Sequence, residues 1–244
     1  MEKKYEMLLD ISKEINGRTV YRIKALKNFG DILAGYLGGY IEKEENLSHE
    51  GDCFVYDNAC VFEDAKVSDN AKVFDEAQVY GEAQLFHNAE VSDYAKVYGE
   101  ACCVYDNACV YDHAEVYDTA SVHGWASIYG NAKVYEDANI YGNSEIYENA
   151  EICGLTTVCG DVYIRKNAYI VSDEDYASVH GFGSENRTTT FFRLKDSKDI
   201  GVKCGCFYGT LKEFKKRVKT MHGSSKYAKE YLHIIKAIKA KFRK

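Results

Sequence analysis

Cys53, Ala59, Ala65, Ala71, Ala77, Ala83, Ala89, Ala95 and Ala101 follow one another at intervals of six. Two places after each of these small residues up to Ala95 stands an aliphatic, as in Val55, Val61, Val67, Leu85 and Val97. One extra residue enters near Cys103, and the period then resumes at Ala108, Ala114, Ala120 and Ala126 and runs on to Ala168. A period of six is neither the 3.6 of an amphipathic helix nor the simple alternation of a hairpin. It suits one short strand followed by a corner, with the small residue and the aliphatic pointing to the same side. Three such faces close one triangular coil of about eighteen residues, and the coils stack at about 4.8 Å to give six to seven turns of parallel β-helix.

The remaining hexad positions agree with this geometry. Corner pairs such as Asp57-Asn58, Gly81-Glu82 and Gly130-Asn131 use residues that tolerate tight or left-handed backbone. The chain has no proline, as expected where nearly every backbone N–H is needed for a ladder. Many of its 21 tyrosines follow directly on the aliphatic, including Tyr80, Tyr98, Tyr111, Tyr129 and Tyr147. Residues one coil apart, such as Tyr111, Tyr129 and Tyr147, are expected to stack into an aromatic ladder that stabilises the exposed sheet face. The other reading of these tyrosines is a flat aromatic binding surface.

These repeats resemble the hexapeptide-repeat superfamily. Val61 with Ala65, and Val134 with Ala138, match the first and fifth positions of its motif, whereas Tyr or Phe replaces the small or acidic residue at the second. The resemblance implies a left-handed parallel β-helix, often trimeric, and covers about half the chain. Nearly the whole chain is similar to a group of tandem-repeat proteins of bacteriophages and prophages. The segments that carry this likeness are Leu37-Gly38-Gly39-Tyr40-Ile41-Glu42, Asn46-Leu47-Ser48, Cys204-Gly205-Cys206-Phe207 and Gly209-Thr210-Leu211.

The expected fold is therefore mainly β: a left-handed parallel β-helix at 53–171, an N-terminal β cap at 1–52, and a small basic α+β module at 172–244. A solenoid needs caps because its end coils otherwise expose core and an unpaired edge. In the first cap, strands are predicted at 5–9 and 19–25 around the hairpin signal Asn16-Gly17. Beyond the repeats, strands are predicted at 188–194 and 200–207. A helix follows at 210–221 and a second at about 226–242, the latter with Tyr227, Tyr231, Ile234, Ile235 and Ile238 along one stripe.

The net charge of −7 conceals two unlike parts. From Arg193 onward there are 16 Lys and Arg against 4 Asp and Glu, leaving 15 against 34 in the preceding chain. An acidic body with a basic tail points to different partners for the two parts. Nine cysteines without an apolar leader at the start of the sequence imply reduced thiols and a cytoplasmic location, that of the host if the protein is phage-encoded. No apolar run is long enough for a membrane helix.

Chemistry-bearing motifs are sparse. Acyltransferases of the hexapeptide-repeat type use a histidine base beneath a loop thrown out of one coil. Here His87 and His113 sit at corners, His123 occupies a tyrosine position, and the repeats admit only a one-residue insertion. No catalytic residue, metal ligand or cofactor is assigned. Cys204 and Cys206, read as lying on one strand face, lack a second pair to complete a metal site. The segment 181–190, with its glycines, Thr188, Thr189 and Arg187, reads as an anion-binding loop near Arg193 and Lys203. The ligand-binding residues expected are Arg187, Thr188, Thr189, Arg193 and Lys203.

Together these features imply a non-catalytic binding or interaction protein of phage or prophage type. The two resemblances imply that it forms a homo-oligomer, with a trimer favoured, and counters host defence by sequestering a nucleotide-like ligand or a host protein. Two alternatives stand beside it: an acyltransferase using coenzyme A, and an acidic mimic of nucleic acid.

Overall fold

The computed structural model describes residues 2–243. Three parallel faces stack along one axis, and the register fixes the coil length. Lys72 pairs with Glu90 eighteen residues on, whereas Glu90 pairs with Cys109 nineteen residues on. The extra residue thus lies in one coil, at the corner that follows Gly99. It shifts one assignment: Cys102, not Ala101, takes the buried small-residue position, and Ala101 is exposed. Elsewhere the small residues and aliphatics fill the interior, with Ala59, Val61, Ala120, Val122, Ala126 and Ile128 fully buried.

Every corner contains a residue with positive φ. The non-glycine ones, from Asp57 through Asp118 to Lys166, have φ between 50° and 60°. For an L-residue this conformation costs roughly 1 kcal/mol or more. The corner carboxylates offset the cost by accepting a backbone N–H from the corner one coil above. Asp69 accepts from His87 at 3.0 Å, Asp112 from Gly130 at 3.0 Å and Glu136 from Gly154 at 2.7 Å. A charge-assisted hydrogen bond of this kind is worth roughly 1.5–3 kcal/mol, less where water competes. The acidic columns are therefore part of the coil-to-coil bonding.

The aromatic ladders form as expected. Tyr111, Tyr129 and Tyr147 stack at 4.8 and 4.9 Å between centroids. A second ladder runs Phe62, Tyr80, Tyr98, Tyr117 and Tyr135, and a third Phe86, Tyr105, His123 and Tyr141. Offset stacking at the strand repeat buries one face of each ring against its neighbour. The rings are thus mostly occupied by one another, which favours the structural reading of the tyrosines.

The first end is closed by the antiparallel strands β1 (Tyr5–Ile15) and β2 (Arg18–Ala25), with Asn16 and Gly17 both at positive φ in the turn. Strand β3 (Leu37–Ile41) joins β2 to the solenoid: Tyr40 pairs in parallel with Cys60, and Leu47 bridges to Val67. Parallel stacking thus begins before the strict repeat. Beneath the first coil lies the buried Lys4, whose ammonium donates to the carbonyls of Glu50, Gly51 and Cys53. These carbonyls have no coil below them, so a charged donor replaces the missing ladder.

The other end is covered by an antiparallel sheet of β4 (Tyr176–Phe182), β5 (Arg187–Arg193), β6 (Ile200–Cys204) and β7 (Phe207–Thr210). The span 200–207, expected as one strand, turns at Gly205-Cys206, where Gly205 has φ 54°. Phe192 enters the solenoid core, whereas its neighbour Phe191 faces α1 (Leu211–His222) and α2 (Lys226–Lys241). Arg165 extends the Tyr147 ladder into the module, its guanidinium 5.0 Å from that ring and 5.1 Å from Tyr208. The buried Asp175 holds the Arg193 Nε at 2.5 Å, and Arg193 also donates to the Phe242 carbonyl.

Two outcomes follow from these contacts. Arg193→Met should lower stability by about 1–3 kcal/mol in urea unfolding, because it strands a buried carboxylate. Burial first, then Asp118 and Glu115, pushes the Tyr117 phenol up to about 12, and burial does the same for Tyr176. Unfolded tyrosine ionises near pH 10, so the folded state holds protons that the unfolded chain loses. Stability should be intact below pH 10 and fall as pH rises toward 12, followed by urea midpoints and phenolate absorbance.

Candidate functional site

Strand alternation places the expected ligand residues on two sides of the module's sheet. Thr189 pairs with Cys204 and Thr190 with Lys203, so Arg187, Thr189 and Arg193 face the helices while Thr188 and Lys203 face the solenoid. Thr188 Oγ1 meets His180 Nδ1 at 2.9 Å, and Lys203 donates to the Gly205 carbonyl, 5.7 Å from the Tyr163 ring centroid. Thr189 is buried and donates to Cys204 Sγ at 3.1 Å. Arg193 is engaged by Asp175. Of the five residues, Arg187 lines a cavity.

That cavity, of about 320 Å³, lies between the β6–β7 turn and the two helices. Arg187, Arg217 and His222 edge it, and Phe207, Phe214 and Tyr231 form its wall. The turn at Gly205 permits this approach. A Cβ there would lie 2.4 Å from Arg187 Nη1, and the positive φ already disfavours any other residue. Arg187 keeps a loose contact with Glu185 at 3.6 Å. Arg217 pairs with no carboxylate among the described residues and lies 6.0 Å from the Phe207 ring. Burial first, and then the Cys204 contact, raises the Tyr231 phenol well above its ordinary range. Tyr231 therefore serves the cavity as a neutral hydroxyl, 3.3 Å from the Phe182 carbonyl to which it donates.

Two further constellations bear on chemistry. An open groove of about 820 Å³ runs between the prism and the module, lined by Tyr129, Tyr147, Tyr208, Lys166 and Lys195. Its cations are engaged: Lys195 pairs with Glu151 at 2.5 Å and Lys166 lies 4.1 Å from the Tyr208 ring. On the prism, His87 Nδ1 meets Asp106 Oδ1 at 2.9 Å, and His123 Nδ1 lies 3.8 Å from the other carboxylate oxygen. His113 stacks on Tyr94 at 5.0 Å.

Arg217 and His222 were not expected from sequence, because a helix rich in lysine and arginine gives no local sign of which cation turns inward. Cys204 and Cys206 both line the cavity, but one ends a strand and the other lies in the turn. Among the described residues no cluster of His, Cys, Asp and Glu has metal-binding geometry, all nine cysteines are free thiols, and no helix is long and apolar enough to cross a membrane.

No family model matches the chain. It is 40% identical over 40 residues to a protein of Escherichia coli strain K12 described as the uncharacterized acetyltransferase YdcK. The match spans 16% of this chain and 12% of that protein. The stacked hexads make the chain a parallel β-solenoid, and one short stretch of it is similar to a protein described as an acetyltransferase.

Proposed function

We propose that this is a binding protein whose rigid solenoid carries an anion-selective pocket in its C-terminal module. The convergence of Arg187, Arg217 and His222 on one aromatic-walled cavity carries this reading. Cations at the rim and rings on the wall suit a ligand with a phosphate or carboxylate and a flat group, as in a nucleotide. The coils throw out no loop that could close over a substrate, which favours binding without turnover. In the phage or prophage setting implied by the sequence resemblance, such a protein would counter host defence by sequestration. Assembly into a homo-oligomer, with a trimer favoured, belongs to the same proposal.

The acyltransferase reading draws on two observations, the stretch similar to YdcK and the His87–Asp106 pair. An aspartate on Nδ1 holds the ring in one orientation, which a histidine acting as general base can use. The nucleic-acid mimic draws less support, since corner carboxylates such as Asp69 and Asp112 already accept coil-to-coil N–H groups.

Isothermal titration calorimetry with linear and cyclic nucleotides and with coenzyme A separates the readings. Nucleotide binding weakened about tenfold or more by Arg187→Ala, without product formation, is the expected result. Acetyl transfer from acetyl-coenzyme A to an amine panel, lost in His87→Ala, would replace it with the enzyme reading.

A further inference from the structure

One column of the prism carries an asparagine ladder. Asn70 donates its amide to Asn88 at 3.1 Å, and Asn88 to Asn107 at 3.2 Å. Higher up, Asn143 donates to Asp161 at 2.8 Å. Asn88 thus accepts from the coil below and donates to the coil above. Trp125 occupies the intervening place, one coil above Asn107 and one below Asn143. Its own backbone keeps the ladder, donating to the Gly142 carbonyl at 2.9 Å.

The substitution interrupts the side-chain ladder at two points. Among the described residues the Asn107 amide donor and the Asn143 amide oxygen have no partner, and both belong to the coils that flank the indole. Trp125 itself is 67% exposed and, among the described residues, stacks on no other ring. A structural role would bury the indole or continue the ladder, and Trp125 does neither. Beside it the corner positions Gly124, Gly142 and Gly160 are free of side chains, all at positive φ, where lower coils of the same column carry Asp69, His87 and Asp106. The strip next to the indole is therefore open backbone.

From this arrangement we infer that Trp125 is a stacking platform for a neutral saccharide. A sugar ring laid on the indole would offer hydroxyls to the Asn107 donor and the Asn143 acceptor. Those residues are two coils apart, about 10 Å, which accommodates a six-membered ring with a hydrogen bond of roughly 2.8 Å at each edge. The flanking carboxylates of Asp106 and Asp161 disfavour a phosphate here, so the site takes an uncharged polyhydroxylated ring rather than a nucleotide. It stands apart from the C-terminal cavity and does not depend on that reading.

Trp125 is the chain's only tryptophan, so its fluorescence reports on this site alone. The full-length protein is titrated with maltotriose, cellotriose, chitotriose and lactose, and screened on an array of neutral oligosaccharides. At least one saccharide is expected to quench or blue-shift the emission. Array binding should disappear in Trp125→Asn, while that variant, with its ladder completed, melts at the same temperature or higher. Three results would overturn the proposal: no emission change with any of these sugars and no array binding, array binding retained in Trp125→Asn, or a lower melting temperature for that variant. The last would make the indole a structural element.

Discussion

The bond between successive corners is the interaction on which the structure depends. Each coil must turn three times within eighteen residues, and each turn requires one residue at positive φ. Glycine meets that requirement without strain, but it brings no side chain to link the coils. Aspartate and glutamate meet it with strain and repay it through the carboxylate, which accepts the N–H of the corner above. The acidic character of the prism follows from this local exchange. Lys166 shows the same logic at the boundary: it occupies the last corner of its column, and its ammonium lies over Tyr208 of the capping module.

A stack bonded in this way repeats identical distances between equivalent side chains. That repetition makes the aromatic ladders and the asparagine columns, and it also makes departures from them informative. Candidate chemistry falls where the repeat gives way: in the C-terminal module, where strand β5 sends alternate residues to the core and to the helices, at Trp125, and where His87 and His123 flank Asp106. Arg193 shows how a cation near such a place can serve the cap instead. Its guanidinium is taken by Asp175 and by the Phe242 carbonyl, and so is withdrawn from the ligand site to which its position in sequence assigned it.

The solenoid was legible because its physical cause is periodic. Ala and Val two apart, a corner pair and a tyrosine recur at a spacing that no helix or plain hairpin shares. The fault near Cys103 was visible too, but the choice between Ala101 and Cys102 required the register of the neighbouring coils. The module was less legible because its determinants are singular. Strand β4 was not foreseen, and the turn at Gly205 splits a span that reads as one strand. Arg187 was identified through its glycine- and hydroxyl-rich surroundings, whereas Arg217 and His222 reach the same cavity from a helix whose pattern speaks only of its buried stripe. Trp125 could have been found by aligning the hexads in threes, since it interrupts a column otherwise held by Asn and Asp.

The central claim is that one coil is the structural unit and that its length sets the register. Removing residues 121–138 deletes one coil and rejoins Ala120 to Asn139, which takes the place of its pairing partner Ser121. Thermal unfolding followed by far-ultraviolet circular dichroism gives the most direct measurement. The shortened protein should keep its β signature and a cooperative transition, while a deletion of half a coil should abolish both. An unfolded full-coil deletion, or a half-coil deletion tolerated equally well, would contradict the account.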